Sequence, residues 1–178
     1  MWMKIKRESA RKKAPALIHE DLSLAMRAVR DFFTDDVDQF IIDDPAEYDR
    51  RLRAAGGIDF FLLASGAGDG HIAFNPPGSP RGSTSRIVAL NEQTRRDNLA
   101  TFPDFGSLQE VPSHGVTIGI DSIASLSRAV AMIVWGGGKR EAFNRISGVS
   151  AYDPSWPATI AVECREAELH ADKAAAGT

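Results

Sequence analysis

Residues 58–75 read IDFFLLASGAGDGHIAFN. Ile58–Ala64 is an apolar run of strand length, of the kind that suits a strand buried on both faces of a parallel sheet. Gly66, Gly68 and Gly70 then let the chain turn sharply. Ligands of parallel α/β sheets collect at the carboxyl ends of the strands, so the loop that begins at Ser65 falls where a site would form. Asp69 and His71 lie two apart in it, and a carboxylate beside an imidazole is a proton-transfer unit, because the acid can fix the ring tautomer. On pattern alone a plain turn explains the same residues, with Asp69 bonding its own backbone and His71 merely packed. The glycines do not make a dinucleotide fingerprint, since Gly70 comes one residue too early.

Outward from this stretch the elements alternate. AVAMIVWG (129–136) is a second buried run, and it opens into the glycine-rich GGGKREAF (136–143). Helix amides together with the Lys139 ammonium there form a reasonable phosphate seat, although a flexible turn with an exposed lysine fits the pattern as well. A triphosphatase phosphate loop is excluded, because Arg140 stands where Ser or Thr would hold magnesium. Upstream, APALIHE (14–20) predicts a strand and DLSLAMRAVRDFF (21–33) a helix. QFIID (39–43) predicts a strand, and DPAEYDRRLRAA (44–55) a helix with Pro45 in its first turn and Gly56 and Gly57 at its end. Downstream, helices are expected at NEQTRRDNLATF (91–102), SIASLS (122–127), KREAFNRIS (139–147) and REAELHADKAAA (165–176). Strands are expected at HGVTIGI (114–120) and ATIAVEC (158–164). NPPGSPRGSTS (75–85) is expected to be the most mobile segment. The order predicts an α/β fold, a layered, mainly parallel, Rossmann-like sheet with helices on both faces.

Bulk properties narrow the function. The 178 residues have 43% hydrophobic content and a formal net charge of -3, which argues against nucleic-acid binding through overall charge. The charge is uneven: residues 1–13 carry six Lys or Arg and one acid, and residues 31–49 carry eight acids. The single Cys164 excludes an internal disulfide and fits a reducing compartment. With no secretory signal pattern and no run of about 18 apolar residues, a cytoplasmic location without membrane contact is expected. The acids of TDDVD and IDDP lack the glycine and closing glutamate of a calcium loop, so no metal is expected there. His19, His114 and His170 are isolated, and Trp2, Trp135 and Trp156 show no stacking spacing.

GGIDFFLLASGAGDGHIAFNPPGS (56–79), SRIVALNEQTRRDN (85–98), VPSHGVTIGI (111–120) and GGGKREAF (136–143) together resemble the C-terminal half of the glucosamine-6-phosphate deaminase/isomerase family. The resemblance runs from about Gly56 to the end of the chain. The related 6-phosphogluconolactonases share the fold but differ after the histidine. The resemblance implies conversion of glucosamine 6-phosphate to fructose 6-phosphate and ammonia, in carbohydrate metabolism, with no metal or organic cofactor. It makes His71 the ring-opening acid/base, with Asp69 assisting, and Lys139 the phosphate ligand. Gly68, Gly70 and Asn75 would shape the substrate loop. The chain departs from the family in two ways. Pro76 stands where many members carry an acid, and nothing before Gly56 reads as the family's Gly/Thr-rich phosphate loop or its aspartate base.

KKAPALIHEDLSLAMRAVRDFFTDDVDQFIIDDPAEY (12–48) resembles a segment of the ribonuclease E/G family, without that family's metal-binding aspartates. The expected organisation is therefore an N-terminal segment over 1–50 and a deaminase-like domain over 51–178, incomplete relative to the family. A sugar phosphate is the expected partner and a homo-oligomer is left open. Two other readings stand beside turnover: a sugar-phosphate-binding remnant without catalysis, and an RNA-contacting module using the basic N-terminus.

Overall fold

The computed structural model describes residues 16–19, 44–66, 68–102 and 104–178. Its centre is a four-stranded parallel sheet made of β1 (Ala16–His19), β2 (Ile58–Ala64), β5 (Ser127–Val134) and β6 (Ala167–Asp172), in the order β1-β6-β5-β2. β5 pairs with β2 along Phe60↔Ala129 to Ala64↔Ile133, and with β6 along Val130↔Ala167 to Val134↔Ala171. Paired on both sides, β5 is the buried strand its apolar run predicts, and alternate residues Val130, Met132 and Val134 enter the core. They meet Ile120 and Ile123 of α3 (Ile120–Leu126) and Ala142 and Ile146 of α4 (Arg140–Gly148). Each fully buried aliphatic side chain of this kind contributes about 1.5–3 kcal/mol.

β2 differs from expectation: Leu63 is its only buried side chain, and β5 is its one strand partner among the described residues. The expected strand within APALIHE is β1, paired with β6 from Ala16↔Leu169 to His19↔Asp172, so part of the first 50 residues builds the main sheet. The helix expected over 21–33 and the strand over 39–43 lie outside the described residues. α1 (Pro45–Ala54) starts as predicted, with the Asp44 side chain accepting from the Ala46 amide at 2.9 Å and Pro45 in the first turn.

A separate two-stranded antiparallel ribbon, β3 (Arg86–Ala89) with β4 (His114–Thr117), flanks the sheet, joined through α2 (Glu92–Thr101). β4 is a shortened version of the expected HGVTIGI strand and stands outside the parallel sheet. β3 was not expected, because its four residues, exposed at Ile87, give little apolar alternation.

The C-terminal expectations need correction. ATIAVEC is part of a 3₁₀ helix, Pro157–Glu163, not a strand. A short apolar run fits a buried helical turn equally well, and local bonds decide: Pro157 opens it, Thr159 Oγ1 bonds the Trp156 carbonyl at 2.7 Å, and Ala158 N reaches Gly70 O at 2.8 Å. The helix expected over REAELHADKAAA is β6 followed by the single turn α5 (Lys173–Ala176). Leu169 and Ala171 alternate into the core, and ladder pairing on both edges outweighs the helix propensity of Ala and Glu. Helix begins only where Asp172 caps the Ala175 amide at 2.8 Å.

Candidate active site

Because β2 and β5 are adjacent and parallel, the loops leaving their carboxyl ends meet. The first, from Ser65 to Asn75, is folded on itself. Gly66 N donates to His71 O at 2.8 Å, and Asn75 N donates to Ile72 O at 2.9 Å. This places His71 Nδ1 2.7 Å from Asp69 Oδ1, which also accepts from the His71 amide at 3.2 Å. Both side chains are mostly buried, at 18% and 17% exposure. Burial alone would raise the Asp69 carboxyl, but hydrogen bonds from Asn91 and from the His71 amide, with the attraction of His71, hold it below the usual carboxylate range.

The glycines of this loop have distinct duties. A Cβ on Gly66 would lie 2.3 Å from His71 Nδ1 and 2.5 Å from Asp69 Oδ1, so the pair occupies the space a side chain would need. Gly70 has φ +64°, and a Cβ there would meet the Trp156 indole at 2.3 Å. Trp156 thus walls the loop from behind, with the Arg145 guanidinium 5.3 Å from its ring centroid. Gly68 has open space around it. Asn75 is fully buried: its Nδ2 donates to Ile118 O at 2.7 Å and Ile72 O at 3.0 Å, and its Oδ1 accepts from Arg86 at 2.9 Å. It therefore ties the loop to the ribbon from beneath.

The second loop delivers Lys139, at the end of a 3₁₀ turn over Gly137–Lys139. Its Nζ donates to the Ser65 carbonyl, at the start of the first loop. Burial pushes the Lys139 ammonium below the usual lysine range, against the attraction of Asp97 and Asp69. The Gly136 amide is taken by the Asp172 carboxylate at 3.1 Å, which fixes the root of this loop to the end of β6. The stretch 75–85, expected to be mobile, is laced instead. Arg81 bridges Asp121 at 3.0 Å and Glu163 at 2.7 Å, Arg86 reaches Ser79 Oγ at 3.2 Å, and Gly78 N bonds Pro154 O at 2.7 Å.

Sequence reasoning missed two residues here. Asn91, the N-cap of α2, donates from Nδ2 to Asp69 Oδ2 at 2.6 Å. Asp97 on the same helix acts on Lys139. The signal for Asn91 was available as an asparagine just before a helical pattern. Of the acids between Asp31 and Asp49, Asp44, Glu47 and Asp49 are described. Asp44 and Glu47 pair with Arg50, and Asp49 bonds Ser85 and Ser122. Among the described residues, no helix is long and apolar enough to cross a membrane.

The parallel sheet, with the loops after β2 and β5 meeting at its carboxyl end, has the α/β fold seen in solved glucosamine-6-phosphate deaminase and 6-phosphogluconolactonase structures. A 6-phosphogluconolactonase from Trypanosoma cruzi superposes with TM-score 0.51 at 17% identity, over 75% of this chain and 50% of its own. A solved monomeric glucosamine-6-phosphate deaminase superposes with TM-score 0.68 at 32% identity, covering 76% of this chain and 55% of that one. Sequence similarity points the same way. The chain is 40% identical over 131 residues to the glucosamine-6-phosphate deaminase of Beutenbergia cavernae, covering 74% of this chain and 48% of that protein. It is 42% identical over 123 residues to that of Bifidobacterium longum, covering 68% and 44%. Most of the chain is thus homologous to glucosamine-6-phosphate deaminases, and it spans about half the length of the curated relatives it matches. The model of the Ribonuclease E/G family matches residues 1–59.

Proposed function

We propose that this chain binds glucosamine 6-phosphate at the carboxyl end of β2 and β5 and takes part in its conversion, with water, to fructose 6-phosphate and ammonia. The observation that carries the reading is the 2.7 Å Asp69–His71 pair beside a lysine bonded to the root of the same loop. His71, oriented through Nδ1, has Nε2 left to move a proton between the anomeric hydroxyl and the ring oxygen, which opens the ring to the aldehyde. Shifting the C2 hydrogen to C1 then turns the amine into an imine, which water hydrolyses to the ketone and ammonia. Lys139 spends one of its three N–H donors on Ser65 O and offers the others to the phosphate. Gly68, Gly70 and Asn75 shape the loop around the sugar. The C2 proton step is assigned to no residue of this chain.

The division at residue 50 is one of origin: a ribonuclease-like segment joined to a deaminase-like domain whose sheet takes in β1. The homologous enzymes are metabolic, and a cytoplasmic site of action follows from the reading. A second reading, sugar-phosphate binding without turnover, is favoured by the described acids of 31–49: Asp44 and Glu47 pair with Arg50, and Asp49 accepts from Ser85 and Ser122, so none of the three is placed as a C2 base. The two are separated by incubating the purified chain with glucosamine 6-phosphate. Ammonia and fructose 6-phosphate appearing in equal amounts establish turnover. Absent ammonia, a rise in melting temperature with the sugar phosphate that Lys139→Ala removes establishes binding alone, and no rise rejects both readings.

A further inference from the structure

Asp69 has two carboxylate oxygens, and both are committed. Oδ1 faces the His71 ring at 2.7 Å and its amide at 3.2 Å, and Oδ2 faces Asn91 Nδ2 at 2.6 Å. The orientation of the Asn91 carboxamide is decided independently. Its Oδ1 accepts from the Thr94 amide at 2.7 Å, and a backbone N–H can only donate. The nitrogen end must therefore face Asp69. An NH₂ group offers protons and accepts none, so a proton on Asp69 Oδ2 would meet another donor. A carboxylate kept free of its proton accepts at Oδ1, which requires Nδ1 of the neutral imidazole to carry the hydrogen.

We infer that Asn91 is a positioning residue for the Asp69–His71 pair: its carboxamide, locked by the α2 cap, keeps Asp69 an acceptor and so holds His71 in the Nδ1–H tautomer. The charged groups that bear on Asp69 are His71 on its own loop and Lys139 from the loop after β5, with Asp97 of α2 acting on Lys139 in turn. The Lys139 ammonium favours the same ionised state that Asn91 favours, so Asn91 adds direction to an existing bias. Capping α2 and orienting Asp69 are thus two tasks of one side chain, and the helix start and the site are set together. For catalysis the inference rests on the proposed acid/base role of His71; for the state of Asp69 it does not.

Three versions of the full chain test it: wild type, Asn91→Ser and Asn91→Ala. Serine retains the cap but is too short to reach Asp69, whereas alanine loses both. The readouts are the carbon-13 titration of the Asp69 carboxyl and the nitrogen-15 pattern of the His71 ring. In Asn91→Ser, Asp69 is expected to take up its proton at higher pH than in wild type, and the Nδ1–H tautomer to be less populated. Where the chain turns over glucosamine 6-phosphate, kcat falls about tenfold with KM little changed, the pattern of an interaction felt in the transition state. If the Asp69 titration in Asn91→Ser coincides with wild type, Asn91 is a helix cap only and the inference is overturned. Should Asn91→Ala fail to fold, the serine variant decides. Should the chain prove inactive, the titration decides, so failure of the proposed function does not count as failure here.

Discussion

Gly66→Ala is expected to remove as much activity as removing the His71 imidazole itself, although it adds one methyl group and no charge. The methyl carbon would stand 2.3 Å from Nδ1 and 2.7 Å from Cε1 of His71, and 2.5 Å from Asp69 Oδ1, distances at which something must move. Two relaxations are available. Either the ring swings off Asp69, losing the 2.7 Å bond that orients it, or the loop opens and breaks the Gly66 N to His71 O bond. Both displace the reactive nitrogen by about 1 Å or more, and misplacement of that size costs about 10²-fold in rate. On the proposed turnover, ammonia release from glucosamine 6-phosphate should therefore fall at least about a hundredfold in Gly66→Ala, close to a His71→Ala control. Gly148→Ala, at the end of α4 with open space around it, should match wild type. A Gly66→Ala chain retaining more than a tenth of wild-type turnover would show that the pair is not the working unit.

The contrast between Gly66 and Asn91 shows how far the sequence could be read. The glycines of 65–71 announced a loop at the end of a buried run, and the resemblance singled out Asp69, His71 and Lys139. Adjacent, parallel β2 and β5 then bring those residues together, as an alternating α/β pattern leads one to expect. What stayed hidden depended on long-range partners. Nothing local says that Gly66 is pressed against a histidine five residues on, or that Asn91 reaches back to Asp69 across 22 positions. The same limit explains 158–176. ATIAVEC and AELHAD carry short apolar patterns compatible with either element, and the outcome was decided by what flanks them: Gly70 and Asp153 for the 3₁₀ helix, β1 and β5 for the strand. Residues 75–85 looked mobile from their glycine, proline and serine content, but Arg81 finds Asp121 and Glu163 elsewhere in the fold, and Arg86 of β3 holds Asn75 and Ser79.

Replacing Asp49 is expected to give the largest loss of stability of any surface-helix residue, because it is a buried carboxylate serving three donors. It projects from α1 and accepts from Ser85 N at 2.9 Å, Ser85 Oγ at 2.6 Å and Ser122 Oγ at 2.7 Å, at 5% exposure. It thereby pins α1 to the start of β3 and to α3. In Asp49→Ala those donors lose their acceptor inside the protein. Burying unsatisfied donors costs about 1–3 kcal/mol each when water cannot reach them, so a net loss of about 2–4 kcal/mol is expected after partial relaxation. Chemical denaturation at pH 7 checks it, and a loss below about 1 kcal/mol would mean that water replaces the carboxylate freely. The pH dependence gives a second check with a definite sign. Burial pushes the Asp49 carboxyl up, but the Ser85 and Ser122 hydrogen bonds and the Arg53 charge outweigh it, leaving the folded value below the unfolded one. The stabilisation is then complete above the unfolded value of about 3.9 and disappears as pH falls toward the lower folded value. The gap between wild type and Asp49→Asn should accordingly be constant from neutral pH down to about pH 5 and narrow in stronger acid. A gap that widens in acid would reverse the assigned shift. Because Ser85 is followed by Arg86, whose guanidinium holds Asn75 beneath the His71 loop, loosening α1 is also expected to raise amide exchange at Asn75 before it does so in β5.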